Sequence, residues 1–318
     1  MSMTSKATPL VSICIPMYNV SEFIEETLQR ILKQSYENIE IVVVDDHCTD
    51  NSYSLARGYE SDKIRVYKNT KKGGNAARNY AFEKAKGEYI KFMDADDYCS
   101  DTMVEEQVKR AVYDGTPDTL VHSPLRMLDP DGSFFDPPRS IDKDYSPGIE
   151  LLVAIWKREG FNIPHSHLMH RNLVIKAGGW DENIVKNQDG EFFARVATKA
   201  DKSLSVNNVF AIWRQTKKGV STQTSLAAHS SVIDTYEVIT KRLIEYKNSQ
   251  EMRTICGQYI GGFVYENYPQ IKSLLPKIDI LLKRIDSSLL LPNRKIIKML
   301  RFIFGWKRAL KLINKLKL

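Results

Sequence analysis

The stretch Glu88-Tyr89-Ile90-Lys91-Phe92-Met93-Asp94-Ala95-Asp96-Asp97 decides the fold. Its first six residues read as a largely apolar strand, and three carboxylates follow where that strand would leave its sheet. Open α/β sheets bind ligands at the carboxyl ends of their strands. Carboxylates this dense raise one another's pKa unless a cation or hydrogen-bond donors neutralise them. A hard divalent ion, Mg²⁺ or Mn²⁺, shared with phosphate oxygens is one such neutraliser. A plain acidic loop, with Asp97 capping the next helix, is the other reading.

Upstream, strand and helix patterns alternate. Leu10 to Pro16 is a short apolar run ended by proline. Ser21 to Gln34 carries helical spacing (Phe23, Thr27, Leu28, Ile31, Leu32), with Ser21 as the expected N-cap. Ile39 to Val44 is almost wholly β-branched, as in a strand buried on both faces. Thr49 or Asp50 then caps a helix to Arg57, Ile64 to Tyr67 is a third strand, and Gly73-Gly74 leads into a helix over Asn75 to Lys86. This order predicts an α/β fold, a Rossmann-like, mainly parallel sheet flanked by helices. Further on, a helix is expected near 101–112, a strand at 119–122, a long loop or hairpin over 129–147, helices near 150–157 and 191–198, and a strand near 209–215. Beyond His229 the chain reads as a helical extension.

The 318 residues are 42% hydrophobic and 27% charged, ordinary for a globular protein. Four cysteines (Cys14, Cys48, Cys99, Cys256) form no CxxC pair and suit a reducing cytosol. No apolar run is long enough to span a bilayer, and the first segment lacks a signal-peptide layout, so a cytoplasmic protein is expected. The net charge of +7 is uneven: residues 222–318 hold 17 Lys+Arg against 7 Asp+Glu. Nine of these cations lie in 294–318, which has no acidic residue. There Met299, Ile303, Trp306, Leu310 and Ile313 recur at helical steps, the pattern of a helix lying on an anionic membrane surface, here the inner face of the plasma membrane. The alternative is a helix packing its stripe on the domain with lysines in solvent. Nucleic acid is not an expected partner, because no recognised nucleic-acid fold surrounds the basic stretch. The expected divisions are a catalytic domain over 1–221, a helical extension over 222–293 and the basic tail over 294–318.

Four short motifs fall at strand ends or helix starts: Pro16-Met17-Tyr18-Asn19, Val44-Asp45-Asp46-His47-Cys48-Thr49-Asp50, Gly73-Gly74-Asn75-Ala76-Ala77-Arg78-Asn79, and Asp94-Ala95-Asp96-Asp97. In this order the chain resembles the family 2 glycosyltransferases of GT-A fold, with Cys48 where a serine usually stands. The resemblance continues through Gly178-Gly179-Trp180-Asp181-Glu182 and Gln188-Asp189-Gly190-Glu191-Phe192, over about residues 8–221. It implies an inverting, metal-dependent transfer of a sugar from a UDP-sugar donor to a glycan or lipid-linked saccharide in surface polysaccharide synthesis.

By that resemblance, Asp46 reads the uracil imide N–H, while Pro16, Tyr18 and Asn19 shape the nucleoside wall. Arg78 sits near the diphosphate at a helix start, where free N–H groups favour anions. Asp94 binds ribose or metal-bound water, and Asp96 ligates Mn²⁺ or Mg²⁺. Asp189 is the general base and a candidate helix N-cap, and Trp180 packs against the acceptor sugar or in the core. Thr216 stands where the family often has a histidine, with Lys217 or Lys218 as substitutes for its phosphate contact. His165, His167 and His170 read as structural or acceptor-side residues, since their spacing is not a usual zinc pattern. Competing classes are a sugar-phosphate nucleotidyltransferase and a catalytically degenerate membrane-surface scaffold. The turn after the first strand lacks the phosphate loop of the former, and lacks the G-x-G-x-x-G of a nicotinamide dehydrogenase.

Overall fold

The computed structural model describes residues 8–114, 116–216, 219, 222–291, 308–309 and 311–312. The chain forms two compact units, one of residues 1–152, 159–183 and 195–217, the other of 153–158, 184–194 and 218–318. The first domain was expected to run unbroken over 1–221. Two short inner segments, however, belong with the C-terminal helices.

In the first unit, strands β1 (Val11–Met17), β2 (Ile39–Asp45), β3 (Ile64–Lys68) and β4 (Tyr89–Phe92) alternate with helices α1 (Ile24–Leu32), α2 (Ser52–Arg57) and α3 (Gly74–Lys84). After a short β5 (Tyr98–Cys99) come α4 (Met103–Asp114), β6 (Thr119–His122), β7 (Leu125–Leu128) and β8 (Phe134–Phe135). Then follow α5 (Ile149–Trp156), β9 (His167–His170), α6 (Arg171–Ala177), α7 (Gln188–Lys199), β10 (Lys202–Ser205) and β11 (Ala211–Arg214), with the end of α5 and the start of α7 belonging to the second unit. Seven strands form one sheet in the order β10-β6-β9-β4-β1-β2-β3, in which only β9 runs antiparallel to its neighbours. The chain builds outward from β1 to β3, then returns to place β4 on the other side of β1. That reversal makes a topological switch point at the carboxyl ends of β1 and β4, where open sheets form their ligand crevice. The core beneath it is supplied by Ile13, Ile15, Ile41 and Val43, each fully buried. Each such side chain contributes about 1.5–3 kcal/mol.

A second sheet, β5-β11-β7-β8, contains a hairpin of β7 and β8 that begins at Leu125, before the 129–147 stretch in which a long loop or hairpin was expected. Strands β5, β7, β9 and β10 and helix α6 were not legible as elements beforehand. The expected cap at Ser21 is also corrected: α1 starts at Ile24 without a side-chain cap, and Ser21 instead donates its backbone N–H to Asp50 Oδ2 at 3.1 Å. The expected cap of α2 at Thr49 or Asp50 is corrected too: Asn51 takes the N-cap position without a side-chain hydrogen bond, while Asp50 accepts the backbone N–H of Ser52 at 3.0 Å.

The second unit is helical, with α8 (Leu226–Tyr246), α9 (Gln250–Asn267) and α10 (Leu275–Arg284). Ser225 and Ser249 cap α8 and α9 by accepting the N–H groups of Ala228 and Met252. Trp156 stacks on Tyr259 with centroids 4.4 Å apart and meets Tyr236 edge-on. The segment before α7 is pinned to α8: Ser231 Oγ accepts the N–H groups of Val185 and Lys186, and Asn187 Nδ2 donates to Thr235 Oγ1 at 2.6 Å. The 294–318 membrane-helix expectation falls almost wholly outside the described residues.

Candidate active site

The carboxyl edge of the sheet in the first unit gathers all four motifs. The loop after β1 is bracketed to the loop after β2 by Asn19. Its side chain exchanges hydrogen bonds with Thr49, accepting the backbone N–H at 2.8 Å and donating to Oγ1 at 3.1 Å. Asn19 holds φ +49°, a left-handed conformation that asparagine tolerates. Its own N–H donates to Cys48 Sγ at 3.2 Å, and the thiol donates to Met17 O at 3.4 Å. Burial first, then hydrogen bonding to Asp45, pushes that thiol up to about 12. Cys48 thus stays a neutral bracket, the work a serine hydroxyl would do. Tyr18 is half exposed beside this loop, with Lys72 Nζ 5.6 Å from its ring centroid, while Pro16 lies within β1.

Asp46 is buried at the end of β2, and its carboxylate has internal partners. Both oxygens accept the N–H of Gly73, at 2.8 and 3.0 Å, and Oδ1 also accepts Asn69 Nδ2 at 2.8 Å. Gly73 has φ +137°, a conformation that favours glycine, and this turns its N–H toward the carboxylate. A carboxylate has about four acceptor positions, so Asp46 keeps capacity for a ligand donor. Asn69 was missed by sequence reading; after β3 it looks like an ordinary turn residue. Asp45 accepts the N–H of Cys48 at 3.2 Å within its own loop.

Arg78 is buried in the second turn of α3, and its Nη2 donates to Asp94 Oδ1 at 2.6 Å. Asp94 therefore already carries a cationic partner, which its expected ribose or water contact did not include. Nε of Arg78 finds no hydrogen-bond partner among the described residues. Half-buried Asp96 has its carboxyl raised to about 6, by burial first and then by the Asp94 charge. Asp97 is raised well above the usual range by burial, then by Asp96 and Asp94. The capping reading of Asp97 fails because α4 begins only at Met103. Asp97 Oδ1 accepts instead the backbone N–H of Arg214 at 2.8 Å, tying the acidic loop to β11.

Trp180 is 3% exposed. Phe92 meets its ring edge-on at 5.2 Å, and the Arg78 guanidinium carbon lies 4.7 Å from its centroid. Of the two expected placements, against an acceptor sugar or in the core, this burial favours the core, since neighbours of its own unit cover the ring. Asp189 belongs to the second unit, in the first turn of α7, one residue past its start at Gln188. It is therefore not the N-cap, although the first turn still favours a carboxylate. His165 and His167 are buried, with ordinary values lowered by burial, and His170 accepts the N–H of Asn172 at the start of α6. Lys217 and Lys218, the expected stand-ins for a histidine at Thr216, lie outside the described residues.

The family model described as glycosyl transferase family 2 matches residues 12–178. Glycosyltransferase GlyG of Streptococcus pneumoniae is 36% identical over 129 residues, covering 40% of this chain and 42% of that protein. The Escherichia coli protein named UDP-Glc:alpha-D-GlcNAc-diphosphoundecaprenol beta-1,3-glucosyltransferase WfaP is 41% identical over 100 residues, 31% of this chain and 40% of its own. The chain spans less than half the length of the first curated relatives it matches. Among solved structures, S. aureus TarS 1-349 in complex with UDP-GlcNAc superposes with TM-score 0.72 at 17% identity, over 96% of this chain and 92% of that one, a likeness of fold. With more than half of its length matched, the chain belongs to glycosyl transferase family 2.

Proposed function

We propose that this chain is an inverting glycosyltransferase that moves a sugar from a UDP-sugar to a glycan or lipid-linked saccharide in surface polysaccharide synthesis. One observation carries the reading: the carboxyl edge of the sheet holds a buried arginine paired with an acidic strand end, and a buried carboxylate at the end of β2 bonded to the N–H of Gly73. The TarS structure similar in fold holds UDP-GlcNAc, and the name of the E. coli relative specifies a UDP-glucose donor and a diphosphoundecaprenol-linked acceptor.

In this reading Asp46 accepts the uracil imide N–H, a contact cytosine cannot offer, and Tyr18 lends its exposed ring to the base. Pro16 and Asn19 set the wall of that pocket, Asn19 through its bracket to Thr49. Arg78 directs its remaining N–H to the diphosphate and offsets charge on the departing group. Asp189 takes the proton of the acceptor hydroxyl as its oxygen attacks the anomeric carbon. A new C–O bond forms on one face while the bond to the diphosphate breaks on the other.

A Mn²⁺ or Mg²⁺ ion suits Asp96, with Asp94 on ribose or metal-bound water, because carboxylate oxygens are hard donors and a cation would favour the ionised form that burial, then the Asp94 charge, disfavours. Among the described residues no three His, Cys, Asp or Glu side chains converge, so phosphate oxygens and water would complete the coordination. Such an ion supplies Lewis-acid stabilisation of the leaving diphosphate. The basic tail 294–318 would hold the protein to an anionic leaflet on the cytoplasmic side, where a lipid-linked acceptor is presented.

Calorimetric titration of UDP, GDP and CDP, with and without Mn²⁺, tests the reading in the full chain and in Asp96→Ala. Binding of UDP alone, strengthened by Mn²⁺ and weakened in the variant, is expected. Absence of all nucleotide binding would replace the enzyme with a scaffold that keeps the fold.

A further inference from the structure

The loop that follows α6 is clasped to the start of α3 by side-chain amides. Asn79 treats Trp180 as a neighbouring strand would: Oδ1 accepts its N–H at 2.8 Å, and Nδ2 donates to its carbonyl at 2.9 Å. The same Nδ2 reaches Glu182 Oε1 at 3.1 Å, and Asn75 Nδ2 donates to Asp181 O at 2.6 Å. Lys71 closes the outer edge through an ion pair with Glu182. Gly179, at φ +71°, lets the loop turn in; a Cβ there would sit 3.1 Å from Asn79 Oδ1.

The clasp seats the indole of Trp180 behind Arg78. The guanidinium is thus held on its face by Trp180, at Nη2 by Asp94 and at Nη1 by Asn75 Oδ1 at 3.4 Å. Among the described residues, the side-chain hydrogen bonds of Asn79 run to Trp180 and Glu182 and not to Asp46, Arg78 or Asp94. We propose that Asn79 is a positioning residue: by gripping the backbone of Trp180 it places the ring that fixes Arg78 toward the diphosphate. The last step rests on the donor reading above; the grip itself does not.

Two measurements on the full chain separate these parts. Trp180 emission, taken as the difference between the protein and its Trp180→Phe variant, should move to the red and become more quenchable by acrylamide in Asn79→Ala. Asn79→Asp, which keeps the acceptor and loses the donor, should move less and serves if the alanine variant does not fold. Unchanged emission in a folded variant would overturn the grip, whether or not any nucleotide binds. UDP affinity should fall about tenfold in Asn79→Ala, the scale of one or two lost hydrogen bonds. It should fall no further when the same change is made in Arg78→Ala. An equal loss in both backgrounds would show that Asn79 does not act through Arg78. A wild-type chain that binds no UDP fails the donor reading, and emission alone then decides the grip.

Discussion

Nη2 of Arg78 lies 2.6 Å from Oδ1 of Asp94, joining the helix after β3 to the acidic end of β4. The arginine is buried and the aspartate is about a third exposed, so the pair faces the crevice from the aspartate side. Removing the arginine strips Asp94 of its partner and takes away a cation that lowers the Asp96 carboxyl. Arg78→Ala should weaken UDP binding by about tenfold to a hundredfold, the scale of a charge-assisted hydrogen bond, as read by calorimetry. Unchanged affinity would remove Arg78 from the donor site.

In the proposed donor reading, Asp46 would serve both stability and binding. In Asp46→Ala, the N–H of Gly73 and the amide of Asn69 lose their acceptor, at a cost of about 1–3 kcal/mol for each group left buried. Thermal unfolding should come several degrees earlier, and discrimination of UDP over CDP should disappear. Asp46→Asn keeps one acceptor oxygen and should lose less stability.

Asp189→Asn retains the shape and the place in the first turn of α7 while removing the charge. Sugar transfer, followed by UDP release, should be abolished, with UDP affinity within about twofold of wild type. Loss of nucleotide binding as well would make Asp189 structural.

His122 supplies a pH prediction apart from the site. Its ring is held between Ser203 Oγ at 2.9 Å and Ile141 O at 3.2 Å, and burial lowers its pKa from 6.5 to about 4. The folded state therefore binds the proton less readily than the unfolded chain. Its contribution is full above about 6.5 and is lost as pH falls toward 4, on the order of 3 kcal/mol. Urea midpoints should drop across that window, and a folded His122→Asn variant should drop less steeply.

Deleting 294–318 should release the protein from vesicles containing anionic lipid while the helices α8 to α10 and the sheet stay folded by circular dichroism. Vesicle binding that survives the deletion would place the membrane contact elsewhere.

The βαβα order was legible because β-branched runs such as Ile39 to Val44 and helical spacings such as Phe23 to Leu32 report local periodicity directly. Short pieces such as Tyr98–Cys99 escaped, since two residues carry no period and pair only because Ala211 and Ile212 lie opposite. Lys91, a cation inside an apolar strand, is fully buried, and spacing along the strand does not name its partners. It donates to Gln107 Oε1 at 2.8 Å and to His167 O at 3.2 Å, and burial lowers it to about 8. Trp180 was ambiguous for the opposite reason, because an aromatic side chain serves a core and a sugar face equally well.

By itself the sequence determined the class of fold, the four motifs and the edge of the sheet on which they emerge, because strand periodicity and turn chemistry are local. Which partners those residues take was decided only by tertiary structure. Asp46 meets Gly73 and Asn69, Arg78 meets Asp94 and Trp180, and Asp97 meets Arg214, over separations of up to 117 residues. Hydrogen bonds and ion pairs depend on distances of a few ångströms, and no spacing along the chain encodes these until the strand order β4-β1-β2-β3 brings the loops side by side.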